Sequence, residues 1–446
     1  MDGTTCRGTT SPDWISAGDN QVMTAGVEVD AAVTPSRHRE AQSRGERIAR
    51  PLRLMTRQWG PADEALLNRL GQALMERDEL GSDLVSAMRQ PVGSPGKVTH
   101  AQLRAALETG ADGIPDAPQA LRDFFGVVSA PPEWVDWDLV DRGAAVFRRL
   151  GRNAGDVLLM LSLTGGYRFG GPADLLVATG ALTGDSTMRR LAETQHWVLS
   201  LMNPGALRPG AEAWRLTLHV RVMHAMVNAT FETSPIWDIE RWGLPINQAD
   251  QAGTLGLFDA TVIVASRGLG VPVPQEDSRA LLHLWKYVGW LMGVHPDFLT
   301  DDERERNKLN LHVLLAAADQ TDAGRELAQA LVGVQRERQF GIRNQRLSRA
   351  RGRYEEERLL SMLTTLLQPA SMRELGLPMR PPWAYAARLG GNLWRHQVVG
   401  RLPGGRVRLE RWGEAIQNRD HATYLAAGSG DRVGDLPDRP SDGEAV

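Results

Sequence analysis

The sequence predicts an all-α protein, and three observations carry that prediction. Apolar residues recur at three- and four-residue steps in segment after segment. Alternating strand runs and Asn-Gly hairpins are absent. The interruptions are of the kind that stop helices: Pro131-Pro132, Gly165-Gly166, Gly170-Gly171-Pro172, Asn203-Pro204-Gly205 and Pro381-Pro382. The helices so delimited are 62–78, 101–109, 136–150, 173–180, 186–202 and 211–231, followed by 253–266, 276–293, 302–317, 322–333 and 353–367. Asp185 or Ser186 is placed to cap the helix at 186. The glycines at 165–171 lack a preceding strand and a following Lys-Ser/Thr, so they read as a helix–helix connection. The domain organisation that follows is a flexible arm at 1–45, a single helical domain at 46–427 and a disordered tail at 428–446.

Composition removes several classes of function. With 42% hydrophobic and 24% charged residues, the 446-residue chain is ordinary for a globular protein. A formal net charge of -3 gives no general pull toward nucleic acid or an anionic membrane. The arginines between 336 and 353 run straight into Glu355, Glu356 and Glu357, which reads as a solvated, self-compensating helix rather than an RNA site. Cys6 is the single cysteine, so no disulfide framework, Cys-based zinc site, iron–sulfur cluster or CxxCH attachment exists. Residues 1–30 carry acidic residues and no apolar run, and the longest apolar stretches are short or charged. The expectation is a cytoplasmic protein without an integral membrane segment.

The helix at 212–230 is the most informative. Leu216, Val220, Met223 and Val227 make a stripe that periodicity assigns to the core. Thr217, Arg221, His224 and Asn228 make a second stripe beside it. An imidazole one turn from a guanidinium suits a haem, with the histidine on iron and the arginine on a propionate. Spacing alone fits equally a histidine and an arginine bonded to neighbouring carbonyls or carboxylates. On the preceding helix Arg190, Glu193 and Thr194 share a face. They would line the far side of such a pocket, or form an ordinary surface ion pair.

Two other iron arrangements come from the sequence. Glu193-Thr194-Gln195-His196 is one Glu-x-x-His unit, where a di-iron bundle needs two units and two further glutamates. His295-Pro296-Asp297 has the His-x-carboxylate spacing of a facial triad, although Asp297 more simply caps the next segment. HExxH, GxSxG and Walker-type loops are absent.

The segments LVATGAL (176–182), RRLAETQHWV (189–198), PGALRPGAEAW (204–214), RVMHA (221–225), GLPINQADQAGTLGLF (243–258) and LWKYVGWLMGV (284–294) carry a family resemblance. In order and spacing they resemble the haem oxygenase family that includes latex-clearing proteins (rubber oxygenases) and the membrane-bound oxygenase of mycophenolic acid biosynthesis. The resemblance covers roughly a third of the chain. It implies a globin-like helical core holding non-covalent haem b, with His224 as proximal ligand and Arg221 one turn earlier. It also implies a distal side formed by Arg190 and Thr194, with Asp174 the nearest counterpart of the acidic distal base. Glu193 replaces the distal lysine of latex-clearing proteins, and Asn228 replaces an arginine. These departures shift the expectation from rubber cleavage to oxidation of an apolar small molecule by dioxygen. Trp197, Trp214, Trp237 and Trp242 fall near this region as cavity walls or core. The alternatives are a non-haem di-iron oxygenase and a haem-binding or haem-sensing helical protein without turnover.

Overall fold

The computed structural model describes residues 34–180 and 186–426, and among them there is no β-strand. The first helices are α1 (Gln42–Thr56), α2 (Glu64–Ala73), α3 (Glu79–Arg89), α4 (His100–Thr109), α5 (Gln119–Val128), α6 (Trp137–Leu150) and α7 (Arg152–Val157). A π-helical segment, Leu158–Thr164, continues α7 directly. Then come α8 (Pro172–Ala178), α9 (Ser186–Leu201), α10 (Glu212–Phe231), α11 (Ile239–Trp242), α12 (Gln248–Phe258), α13 (Ala260–Gly268) and α14 (Gln275–Leu291). The last are α15 (Glu303–Ala316), α16 (Asp322–Gly333), α17 (Gln345–Glu374), α18 (Trp383–Gln397) and α19 (Gly405–Leu425).

Many starts are set by side-chain caps. Asp136 accepts the amides of Asp138 and Leu139 at the head of α6, and Asp302 those of Arg304 and Glu305 at the head of α15. Thr99 and Gln102 form a reciprocal capping box before α4. The central helix is α14, buried on nearly every side from Leu281 through Trp285 and Tyr287 to Leu291. It packs along α6, and Gly143 makes the close approach possible. A Cβ at Gly143 would stand 2.4 Å from the Ala280 carbonyl oxygen.

The structure revises several expected boundaries. Residues 34–45, assigned to the arm by composition, are held in place. Ser36 and Arg37 donate backbone hydrogen bonds to Glu240 and Arg241, and Arg37 pairs with Asp250 at 2.6 Å. Residues 1–33, the expected cap at Asp185 and the expected tail at 428–446 lie outside the described residues. The helix read at 62–78 is the shorter α2, with α3 starting only at Glu79, and that at 353–367 is the longer α17, kinked at Gln368 ahead of Pro369. The helix read at 253–266 is two, α12 and α13, broken at Asp259 (φ -103°, ψ -93°). The break has a charge behind it: Asp259 binds the fully buried Arg306 at 2.7 Å, and Arg306 also donates to the carbonyl of Ala252 at 2.9 Å.

Two predictions follow from these contacts. Arg306→Met leaves the Asp259 charge buried without a partner, so chemical denaturation should show a loss of about 3–5 kcal/mol. Adding Asp259→Leu should recover most of it. The second concerns His283, which accepts the Asp136 amide on Nε2 (3.0 Å) and therefore donates from Nδ1 to Asp301 (2.9 Å). That hydrogen bond, reinforced by Lys286, outweighs burial and holds the Asp301 carboxyl at about 2, below its ordinary 3.8. A depressed carboxylate stabilises the fold above its unfolded value and loses that contribution as pH falls toward the folded one. Asp301→Asn should therefore weaken the protein at neutral pH and flatten the stability decline between pH 4 and 2.

Candidate active site

Helices α9 and α10 are joined by the connection 202–211 and touch where Trp197 meets Thr217. The Trp197 indole N–H donates to Thr217 Oγ1 at 3.0 Å, and Thr217 in turn donates to the Ala213 carbonyl. This contact sets the register between them. His224 lies two helical turns beyond Thr217 on α10, and Arg190 two turns before Trp197 on α9.

Helix α10 is turned differently from the expectation. The polar stripe is the buried one: Thr217, Arg221 and Asn228 are almost wholly inaccessible. The apolar stripe of Leu216, Val220, Met223 and Val227 stays only half-buried, with His224 beside it. Each buried polar group has its partners. Arg221 makes a bidentate pair with Asp78 (2.6 Å to each carboxylate oxygen), donates to the Leu291 carbonyl at 3.2 Å and lies over the Phe124 ring. Asn228 clasps the backbone of Ile246, accepting its amide at 2.7 Å and donating to its carbonyl at 2.9 Å. Satisfied polar groups can be buried, and α3, which carries Gly81 against Ala225, covers this face.

His224 is the exception. Its Nδ1 is buried without a hydrogen-bond partner. Surrounding protein desolvates the ring and lowers its pKa to about 4, with Asp78 opposing only in part. The half-buried side chain is therefore a neutral imidazole at ordinary pH. A neutral, unpartnered imidazole next to an apolar stripe fits an iron ligand beside a flat apolar cofactor. Arg221 has no group left over for the propionate role expected of it, because Asp78 takes its Nε and Nη2 and the Leu291 carbonyl its Nη1.

On α9, Thr194 lines a cavity of about 130 Å³. Its walls are apolar, with Leu159, Leu163, Leu191, Val198, Leu257 and Phe258 among them, and one end carries Asp156, Arg338, Asp420 and Tyr424. The π-helical segment forms part of the wall. Its wider turn is held by Thr164 Oγ1 donating to the Leu159 carbonyl (2.9 Å), and Ser162 donates to the Leu257 carbonyl (2.7 Å). Arg190 is half-buried on α9, and Glu193 faces Arg189 at 3.7 Å. Asp174 is taken up elsewhere: it accepts the Gly171 amide and the Thr321 hydroxyl, each at 3.0 Å, so it fits a cap rather than a distal base.

The other candidates are structural. His196 stacks on His421 with centroids 5.7 Å apart. His295 Nδ1 accepts the Asp297 amide while Arg69 binds the Asp297 carboxylate at 2.8 Å. Among the described residues no group of three or more His, Cys, Asp or Glu side chains is gathered as a metal set. Trp214 donates to the Val128 carbonyl and Trp237 to that of Gly243, as core indoles do. Of the four tryptophans, Trp197 stands nearest the cavity, edge-on to Phe258 at 5.8 Å. The basic cluster at 336–353 is compensated as expected but not simply solvated, since Arg338 and Glu355 are buried. The cavity walls from 155–163 and the charges behind them were not identified from sequence. The signal available was Asp156, a carboxylate heading the apolar run VLLMLSL.

Residues 148–399 match the family model for the catalytic domain of the ER-bound oxygenase mpaB/B′ and rubber oxygenase. A rubber oxygenase of Streptomyces sp. (strain K30) is 25% identical over 227 residues, 50% of this chain and 55% of that protein. The chain thus spans about half the length of this curated relative. A structure of latex clearing protein LCP in the closed state has a TM-score of 0.57 at 20% identity, covering 78% of this chain and 90% of that one, and shares the all-α fold. Because the family match takes in more than half of the chain, with α9, α10 and most of the cavity wall inside it, the protein belongs to the mpaB/B′ and rubber oxygenase catalytic-domain family.

Proposed function

We propose that this protein is an oxygenase of apolar small molecules in which His224 ligates the iron of a haem b. The observation that carries the reading is His224 itself: a neutral imidazole whose buried Nδ1 has no hydrogen-bond partner, flanked by a half-buried apolar stripe. Haem, when bound, would supply the binding and activation of dioxygen. Every other part falls to the chain's own residues. His224 offers a nitrogen lone pair that stays unprotonated at neutral pH. Val220, Met223 and Val227 give an apolar seat beside it. Arg190 and Thr194 lie on the facing helix, and the Thr194 hydroxyl can donate a hydrogen bond where the cavity begins. Glu193, in the same turn, is a candidate proton acceptor held loosely by Arg189.

The cavity sets the size of the reacting group. A dry protein cavity of roughly 150 Å³ accepts benzene, so one of about 130 Å³ suits a ring or short branched chain. Its apolar walls exclude water from the reacting end. A small oxidisable hydrocarbon group fits this space better than a long polymer chain.

Purified protein reconstituted with haem should show a Soret band that is lost or strongly shifted in His224→Ala and kept in Asn228→Ala. A colourless protein that binds non-haem iron, or a Soret band indifferent to His224→Ala, would overturn the haem assignment. Oxygen uptake with small alkenes and arenes separates an oxygenase from a haem sensor. Leu163→Trp fills the cavity and should weaken binding of such probes more than tenfold while leaving the Soret band in place.

A further inference from the structure

The net charge of -3 hides a strongly uneven distribution. Between residues 379 and 412 there are seven arginines against Glu410 alone. This stretch forms α18, the turn after it and the start of α19, and its exposed surface is apolar as well as cationic. Helix α18 is inside out: it buries Asn392 and His396, while Trp383, Ala387, Gly390, Trp394 and Val398 form an outward stripe at four- and three-residue steps. Trp394 is 62% exposed and Val398 49%. The inward face is held by polar bonds, Asn392 donating to Asn153 and to the Leu269 carbonyl, each at 2.9 Å. The helix is therefore fixed with its tryptophans facing out.

Leu402 and Val407 extend the apolar surface past the end of α18, 49% and 51% exposed. Around them Arg401, Arg406, Arg408 and Arg411 are exposed, and none has an ion pair among the described residues. Arg395 lies over the Trp412 ring at 4.1 Å. An exposed apolar stripe of this length marks an interaction surface. Tryptophan beside unpaired arginine is the composition suited to the boundary between water and lipid. A purely apolar partner would leave the four cations uncompensated. A bilayer surface rich in anionic headgroups meets both features at once.

We propose that this face docks the protein on an anionic phospholipid bilayer, with α18 lying in the interface plane and the 401–411 arginines on the phosphates. Among the described residues no helix is long and apolar enough to cross a membrane, so the attachment is peripheral. The inference is independent of the haem reading. It does place the protein at the surface where apolar small molecules accumulate.

The test is co-sedimentation of the full chain with vesicles. Phosphatidylcholine vesicles containing 30% phosphatidylglycerol should pellet the protein, pure phosphatidylcholine should not, and raising salt to 0.5 M should release it. Each of Arg401→Gln, Arg406→Gln and Arg408→Gln should weaken partitioning about fivefold, and Trp394→Glu should abolish it. These positions are exposed, so circular dichroism and thermal melting should be unchanged. No pelleting on anionic vesicles, or pelleting unaffected by these variants, overturns the proposal. So does a chain that is dimeric until Trp394→Glu makes it monomeric while vesicle binding stays unchanged, since the stripe then serves a second copy.

Discussion

Asp156 is the charge around which the rest of the structure is arranged. Burial alone would raise its pKa, but Arg358, Arg388 and Arg152 outweigh that and hold it below the usual carboxylate range. Arg358 binds both of its oxygens at 2.9 Å and also reaches Glu355 at 2.7 Å, while Arg388 approaches at 2.8 Å. Arg152 ties the same group to Glu355 and to Asp420. One buried network thus joins α7, α17, α18 and α19, helices far apart in sequence. Removing Asp156 would leave Arg358 and Arg388 without this carboxylate in the interior, at a cost of several kcal/mol, roughly.

That constraint fixes the cavity. Asp156 sits two residues before the π-helical segment begins, so anchoring it positions Leu159 and Leu163 as wall. Asp420 and Tyr424 close the same end from α19, where Arg338 pairs with Asp420 at 2.9 Å and lies over the Tyr424 ring. Gln417 locks α19 down by donating to the carbonyls of Phe147 and Gly151. At Gly413 a Cβ would stand 1.9 Å from the Arg148 carbonyl oxygen, so only glycine allows this approach. The apolar cavity is therefore bounded at one end by a rigid ionic lattice. Thr194, on α9, comes from outside that lattice.

Helix content and most helix positions were legible in the sequence, because three- and four-residue apolar spacing follows directly from the geometry of a turn. Boundaries failed where a long-range charge decided them. Nothing near Asp259 announces Arg306, forty-seven positions away, yet that pair splits one expected helix into two. The candidate site was partly legible in the same way. His224 and Thr194 were singled out; His224 keeps an unpartnered Nδ1 and Thr194 lines the cavity. Arg221 is engaged by Asp78, and Asp174 by Thr321. Neither partner carries a local signal, since each is a polar residue on a distant segment.

The two helices that break the amphipathic rule do so for a common reason. In α10 the arginine goes inward because Asp78 neutralises it, which leaves the apolar stripe half-open around His224. In α18 an asparagine goes inward because Asn153 and a carbonyl satisfy it, which leaves Trp383 and Trp394 outside. Satisfied polar groups release a helix from the requirement to bury its apolar side. That freedom is of no use to stability, since half-exposed Val220 or exposed Trp394 forgoes burial worth roughly 25 cal/mol per Å². Local rules that fail at the expense of stability are where function concentrates. The faces that α10 and α18 leave open are, by one physical argument, the surfaces proposed for an apolar cofactor and for a lipid.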